Sequence, residues 1–175
     1  MIEAIERAAR VMRESKKRLR QVKPWRQLGH VLVATDLSDH SMNALGFGKK
    51  LAQRFNSKLT LIYVYEIPRS LEFMRGRHTM EVMEKDVELA YERFEQLCRC
   101  IRAQHGNFEM YFRVGNAHDE ILWAADALHA DLLVVPAENC NSLTRANDGL
   151  DSKSILRDAR CPVLLVHKKD RNLTD

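Results

Sequence analysis

The sequence predicts an α/β fold built around a parallel sheet, and three observations carry that expectation. Residues 31–34 (VLVA), 131–135 (DLLVV) and 163–166 (VLLV) are short, nearly unbroken apolar runs, the pattern of strands covered on both faces. Between such runs lie longer stretches with helical spacing of apolar residues. Strand and helix patterns alternate five times, as right-handed βαβ crossovers require.

Residues 1–22 predict a helix ahead of the first strand. Ile2, Ile5, Ala9 and Met12 follow helical spacing, Glu3/Arg7, Glu6/Arg10 and Glu14/Arg18 are favourable i,i+4 pairs, and Pro24 ends the pattern. Three roles fit this helix. It packs its thin apolar stripe on its own domain or a second subunit, it is a solvated face, or it binds an acidic surface such as nucleic acid or anionic lipid. Residues 1–30 hold nine Lys and Arg against three Glu, while the whole chain carries +4. The basic character therefore belongs to this extension and not to the rest.

The first strand, around 31–34, is followed within two residues by Asp36, Ser38 and Asp39. Ser38 and Asp39 are N-cap types, so the chain reads strand, turn, helix. Asp36 should then stand at the lip of the crevice outside the carboxyl ends of the strands. The helix spans 39–56, with Met42, Leu45, Ala52 and Phe55 marking its buried side, Gly46 and Gly48 allowing close approach to the sheet, and Asn56 as its stop. Gly46-x-Gly48 lacks a third glycine and lies inside the helix, so it is no dinucleotide fingerprint.

Residues 58–65 form the second strand, rich in β-branched and aromatic side chains, and 66–77 a basic loop with Arg69, Arg75 and Arg77. Residues 78–105 form the longest helix. Its Met80, Met83, Val87, Ala90, Phe94, Leu97 and Ile101 recur every three or four positions, which suits a stripe lying on the sheet better than a coiled-coil seam. Residues 107–114 alternate Phe108, Met110 and Phe112 with polar neighbours and form the third strand, ended by Gly115. The third helix covers 117–129 with Ile121, Leu122, Ala125 and Leu128 inward, and 131–135 is the fourth strand. A polar loop at 136–149, a short helix at 151–159 and a last strand from Cys161 to His167 complete the order. Pro162 near the start of that strand suits a sheet edge. The organisation expected is a basic helical extension at 1–28, an α/β domain at 29–169 and a polar tail at 170–175.

Chemistry-bearing motifs are few. Cys98, Cys100, Cys140 and Cys161 lack zinc-site spacing, and Cys98 and Cys100 point to different faces of one helix, as in a chain kept reduced. Cys140, near Arg145, is either a reactive thiol or an inert surface cysteine. His30, His78, His105, His118, His129 and His167 are scattered and read as surface or turn residues rather than bases. No nucleophile elbow, metal-spaced histidine pair or P-loop is present, so no catalytic and no metal-binding residue is expected. The absence of a long apolar run and of a leader-like start gives the expectation of a soluble, cytoplasmic protein.

Three segments carry a family resemblance: 31–38 (VLVATDLS), 114–121 (VGNAHDEI) and 155–166 (ILRDARCPVLLV), with 130–135 (ADLLVV) in the matching place. Over about residues 30–168 the chain resembles the universal stress protein family. The resemblance implies a Rossmann-like five-stranded sheet of order 3-2-1-4-5, sandwiched by helices. It also implies a homodimer pairing the last strand, Cys161 to His167, across a twofold axis, and an apolar edge strand needs such cover.

The nucleotide-binding branch of that family carries Gly-x-x-Gly, nine residues, then Gly followed by Ser or Thr. Aligned on Cys161, the last glycine falls on Gly149, the hydroxyl position on Leu150, and the earlier glycines on Asn139 and Pro136. Proline has no N–H and leucine gives an anion no hydrogen bond, so three of the four positions are altered. What the resemblance leaves as nucleotide-binding positions is Ala34, Thr35, Asp36, Val64, Gly115, Asn139 and Gly149, with ATP as the ligand but no cofactor required. For Asp36 a purely local role, satisfying backbone donors of the turn, is the alternative. The expected function is a stress-response protein, not primarily an enzyme, that acts by dimerisation and association with a protein partner. The alternative is an adenine-nucleotide sensor or slow ATPase.

Overall fold

The computed structural model describes residues 28–67, 77–137 and 152–167. The expected N-terminal helix, Arg69 and Arg75, the loop positions Asn139, Cys140, Arg145, Gly149 and Leu150, and the tail lie outside the described residues.

The elements run β1 (His30–Thr35), α1 (Asp39–Phe55), β2 (Lys58–Tyr65), α2 (Arg77–Arg102), β3 (Phe108–Val114), α3 (Ala117–Ala127), β4 (Leu132–Pro136), α4 (Ser152–Asp158) and β5 (Val163–Val166). They form one parallel sheet in the order β3-β2-β1-β4-β5, with Thr35 opposite Tyr63 and Tyr65 opposite Val114. Alternate residues of β1 serve two cores. Val31 and Val33 pack with Ala44, Leu45 and Ala52 of α1 and Phe94, Cys98 and Ile101 of α2. Leu32 and Ala34 pack with Ile121, Ala124 and Ala125 of α3 and Ile155 of α4. Burial on both faces is why β1 and β4 read as unbroken apolar runs, and each large side chain buried there contributes about 1.5–3 kcal/mol.

Helix α1 starts on Ser38, whose hydroxyl accepts from Ser41 N at 3.3 Å, and ends on Asn56 in the left-handed region at φ 54°. Its buried face is Ser41, Ala44, Leu45, Gly48 and Ala52. Met42 and Phe55, expected inside, are exposed, because the face that meets β1 is made of small residues one position round the helix. Gly48 makes the close approach expected of it, while Gly46 has open space around it.

The apolar stripe of α2 meets the sheet only in its second half. Phe94, Cys98 and Ile101 are buried, whereas Met80 is 64% exposed and Met83 and Val87 are only half-buried. Arg77, expected in the preceding loop, is the first residue of this helix, and α2 stops at Arg102, short of His105. The last strand is shorter than Cys161 to His167: Pro162 lies just before it, its carbonyl accepting from Leu133 N at 3.0 Å. Pro136, expected to open the polar loop, is instead the final residue of β4, paired with Val166.

Two of the histidines expected at the surface or in turns are buried. His30 Nδ1 donates to the Leu128 carbonyl at 3.0 Å, since a carbonyl can only accept, leaving Nε2 to accept from the buried Thr60 hydroxyl at 2.8 Å. His105 Nε2 bonds the Ser57 carbonyl at 3.1 Å. Both satisfy backbone groups at the amino end of the sheet, a task that spacing in the sequence does not reveal.

Candidate functional site

The carboxyl ends of β1, β2 and β3 bring five of the seven expected site residues to one edge. Ala34 is buried in the α3/α4 core, and Thr35 is buried with its hydroxyl 2.8 Å from Ser41 Oγ. Leu37 then turns into the left-handed region at φ 64°, its N–H donating to Thr35 Oγ1 at 3.1 Å. Asp36 stands at the lip, Oδ1 accepting from Ser38 N at 2.9 Å. Val64 is buried near the end of β2 on the α3/α4 face. Gly115, just after β3, donates to the Tyr65 carbonyl at 3.1 Å and takes φ +156°, a conformation that favours glycine. Asn139 and Gly149 lie outside the described residues.

The electrostatics of the turn follow from its bonds. Desolvation by the surrounding atoms pushes the Asp36 carboxyl up, but bonds from the Ser38 hydroxyl and amide and from Ser41 outweigh it and hold the group below its ordinary value. Asp36 is thus a carboxylate at neutral pH, suited to accept hydrogen bonds and unsuited to act as a base. On the α1/α2 side of this lip a cleft of about 630 Å³ opens between Ser38, Tyr63, Tyr65, Asp86 and Arg93. Burial, and after it Tyr65 and Asp36, pushes the Tyr63 hydroxyl up; burial and Asp86 do the same to Tyr65, so both stay protonated donors.

Sequence reasoning missed this wall: Tyr63 and Tyr65 fall within the expected second strand, and Asp86 and Arg93 fall off the apolar stripe of the expected long helix. It also missed Glu66, whose Oε1 accepts from Ala117 N at 2.8 Å. That bond joins the end of β2 to the first turn of α3, where Asn116 caps by accepting from Asp119 N at 3.2 Å.

No group of three His, Cys, Asp or Glu among the described residues is placed to hold a metal ion. Burial pushes the Cys98 thiol up to about 12, and raises Cys161 as well. Among the described residues no helix is long and apolar enough to cross a membrane.

The universal stress protein family model matches residues 28–167. A universal stress protein of Thermus aquaticus, encoded in the 3′ region of a QAH/OAS sulfhydrylase, is 28% identical over 137 residues, covering 78% of this chain and 96% of its own length. A universal stress protein solved in complex with cAMP superposes with a TM-score of 0.56 at 24% identity, over 81% of this chain and 98% of that one. The protein from Archaeoglobus fulgidus solved in complex with dAMP gives 0.55 at 19% identity, over 80% and 98%. Order 3-2-1-4-5, the turn at Asp36 and the family match over most of the chain agree: this chain belongs to the universal stress protein family.

Proposed function

We propose that this protein is a cytoplasmic stress-response protein that works by dimerising and by binding a protein partner, and that it does not hold a nucleoside triphosphate in the manner of the family's ATP-binding branch. The observation that carries the reading is Pro136. It ends β4, buried and paired with Val166, and the family resemblance puts the first loop glycine of that branch at this position. A proline there has no N–H to offer a phosphate, and its φ is fixed. Asp36 supports the same reading, since its Oδ1 already serves the Ser38 amide. The dimer would pair β5, whose Val163, Leu164 and Leu165 remain half-buried along the open edge of the sheet.

A second reading has its own support. Two structures of similar fold are complexes with adenine monophosphates, cAMP and dAMP. Such ligands ask less of a triphosphate cradle, and Ala34, Asp36, Val64 and Gly115 remain at the same strand ends in this chain. Adenine-nucleotide sensing, with ATP or a monophosphate as ligand, is therefore the alternative function. A thermal-shift titration separates the two. No shift with millimolar ATP and Mg²⁺, or with cAMP, supports partner association. A saturable shift abolished by Asp36→Ala supports nucleotide sensing. Sedimentation of the full chain tests the dimer, which a monomer at every concentration would exclude.

A further inference from the structure

The cleft of about 630 Å³ between α1, α2 and β2 lies on the face of the sheet opposite Val64. Tyr63 and Tyr65 line it from β2, while Val64 between them packs into the α3/α4 core. Of the nucleotide positions that the family resemblance marks, Asp36 alone lines this cleft among the described residues. Its carboxylate is already occupied by the Ser38 amide and by the Ser38 and Ser41 hydroxyls.

One face of α2 supplies the far wall: Asp86, Leu89, Ala90, Arg93 and Leu97, three or four apart. One turn from Asp86 stand Val82, Met83, Leu89 and Ala90, and one turn from Arg93 stand Leu89, Ala90, Gln96 and Leu97. Neither charge therefore has an opposite charge beside it on its own helix, and neither forms an ion pair among the described residues. Seven residues, or about 10 Å of helix, separate them. The stretch between is apolar: Leu89 is 47% exposed and Met42, across the cleft on α1, 41%. Each phenol stands near one charge, Tyr63 near Arg93 and Tyr65 near Asp86, and burial keeps both protonated. The cleft is thus positive at one end, negative at the other and apolar in its middle. A ligand that complements it has the reverse order, and its apolar part removes Met42 and Leu89 from water.

We propose that this cleft binds a small elongated zwitterion. Its carboxylate accepts from Arg93 and the Tyr63 hydroxyl, its ammonium donates to Asp86 and the Tyr65 oxygen, and its apolar spacer lies between Met42 and Leu89. The site is separate from the nucleotide positions around Val64 and Gly115 and from the open edge at β5.

Titration of the full ¹⁵N-labelled chain with 6-aminohexanoate tests this, with hexanoate and hexylamine as probes that lack one charge each. Amides of residues 36–42, 63–65 and 86–97 should shift and saturate. Each single-charge probe should bind at least about tenfold more weakly, because one charged group is left without its partner. Asp86 and Arg93 are exposed, so Asp86→Asn and Arg93→Gln should keep the melting temperature while each lowers affinity for 6-aminohexanoate at least about tenfold. The absence of a saturable shift up to about 20 mM overturns the proposal. So does equal binding of hexanoate or hexylamine, and so do shifts centred on Val64 and Gly115, which would put the ligand on the other face of the sheet.

Discussion

Gly48 of α1 lies so close to Val33 of β1 that a Cβ on the glycine would stand 2.5 Å from Val33 Cγ2. Both belong to fully packed surroundings, so neither backbone can retreat cheaply. Gly48→Ala should cost about 1–3 kcal/mol, the usual range for overpacking a filled core. Gly46, two residues away, has nothing within 4 Å, and Gly46→Ala should stabilise the helix by about 0.5–1 kcal/mol. Urea unfolding of the two variants should shift the midpoint in opposite directions.

Thr60→Val should expose how much the buried His30 bond matters. The variant keeps the shape but leaves His30 Nε2 without its donor, at a cost of about 1–3 kcal/mol. Burial holds the His30 ring below its ordinary 6.5, so the folded protein prefers it neutral while the unfolded chain takes up a proton. Stability should therefore fall as pH drops below 6.5, a trend that His30→Gln should flatten in melts recorded from pH 7.5 to 5.

His118 runs the opposite way. Its Nδ1 meets Asp119 Oδ1 and its Nε2 meets Asp158 Oδ2, each at 3.1 Å, so it ties α3 to α4. Asp119 first, then Asp158, raises its pKa against a smaller effect of burial; Arg157 first, then His118, draws Asp158 down to about 2. The His118 contribution is complete below 6.5 and is lost as pH rises through its raised value. The Asp158 contribution is present above 3.8 and is lost as pH falls toward about 2. The tie is strongest between those limits, and the groups are exposed enough that the effect on stability is small. An NMR titration should place His118 above 6.5 and return it toward that value in Asp158→Asn.

His129 sits in the left-handed region at φ 52° with its side chain exposed, at the turn between α3 and β4. His129→Gly should be neutral or stabilising by up to about 1 kcal/mol, because relief of backbone strain offsets the greater freedom of the unfolded glycine. A β-branched residue pays that strain in full, so His129→Val should melt below the wild type.

The helix and strand order, the turn at Ser38, the stop at Asn56 and the inward Phe108, Met110 and Phe112 were all legible from local pattern. Local pattern suffices there because backbone geometry alone decides which side chains share a face. Met42 and Phe55 were misread for a related reason: apolar spacing finds a helix but does not say which of two adjacent faces meets the sheet.

By itself, then, the chain's sequence determined the α/β winding and the family. Only the tertiary structure decided that His30 and His105 are interior, that Pro136 completes β4, that Glu66 reaches the first turn of α3, and that Tyr91 of α2 stands edge-on to Phe112 of β3. Periodicity is a property of neighbouring residues. These four facts depend on groups from distant parts of the chain meeting in space, where the need to satisfy buried polar atoms and fill volume selects partners that no local spacing encodes.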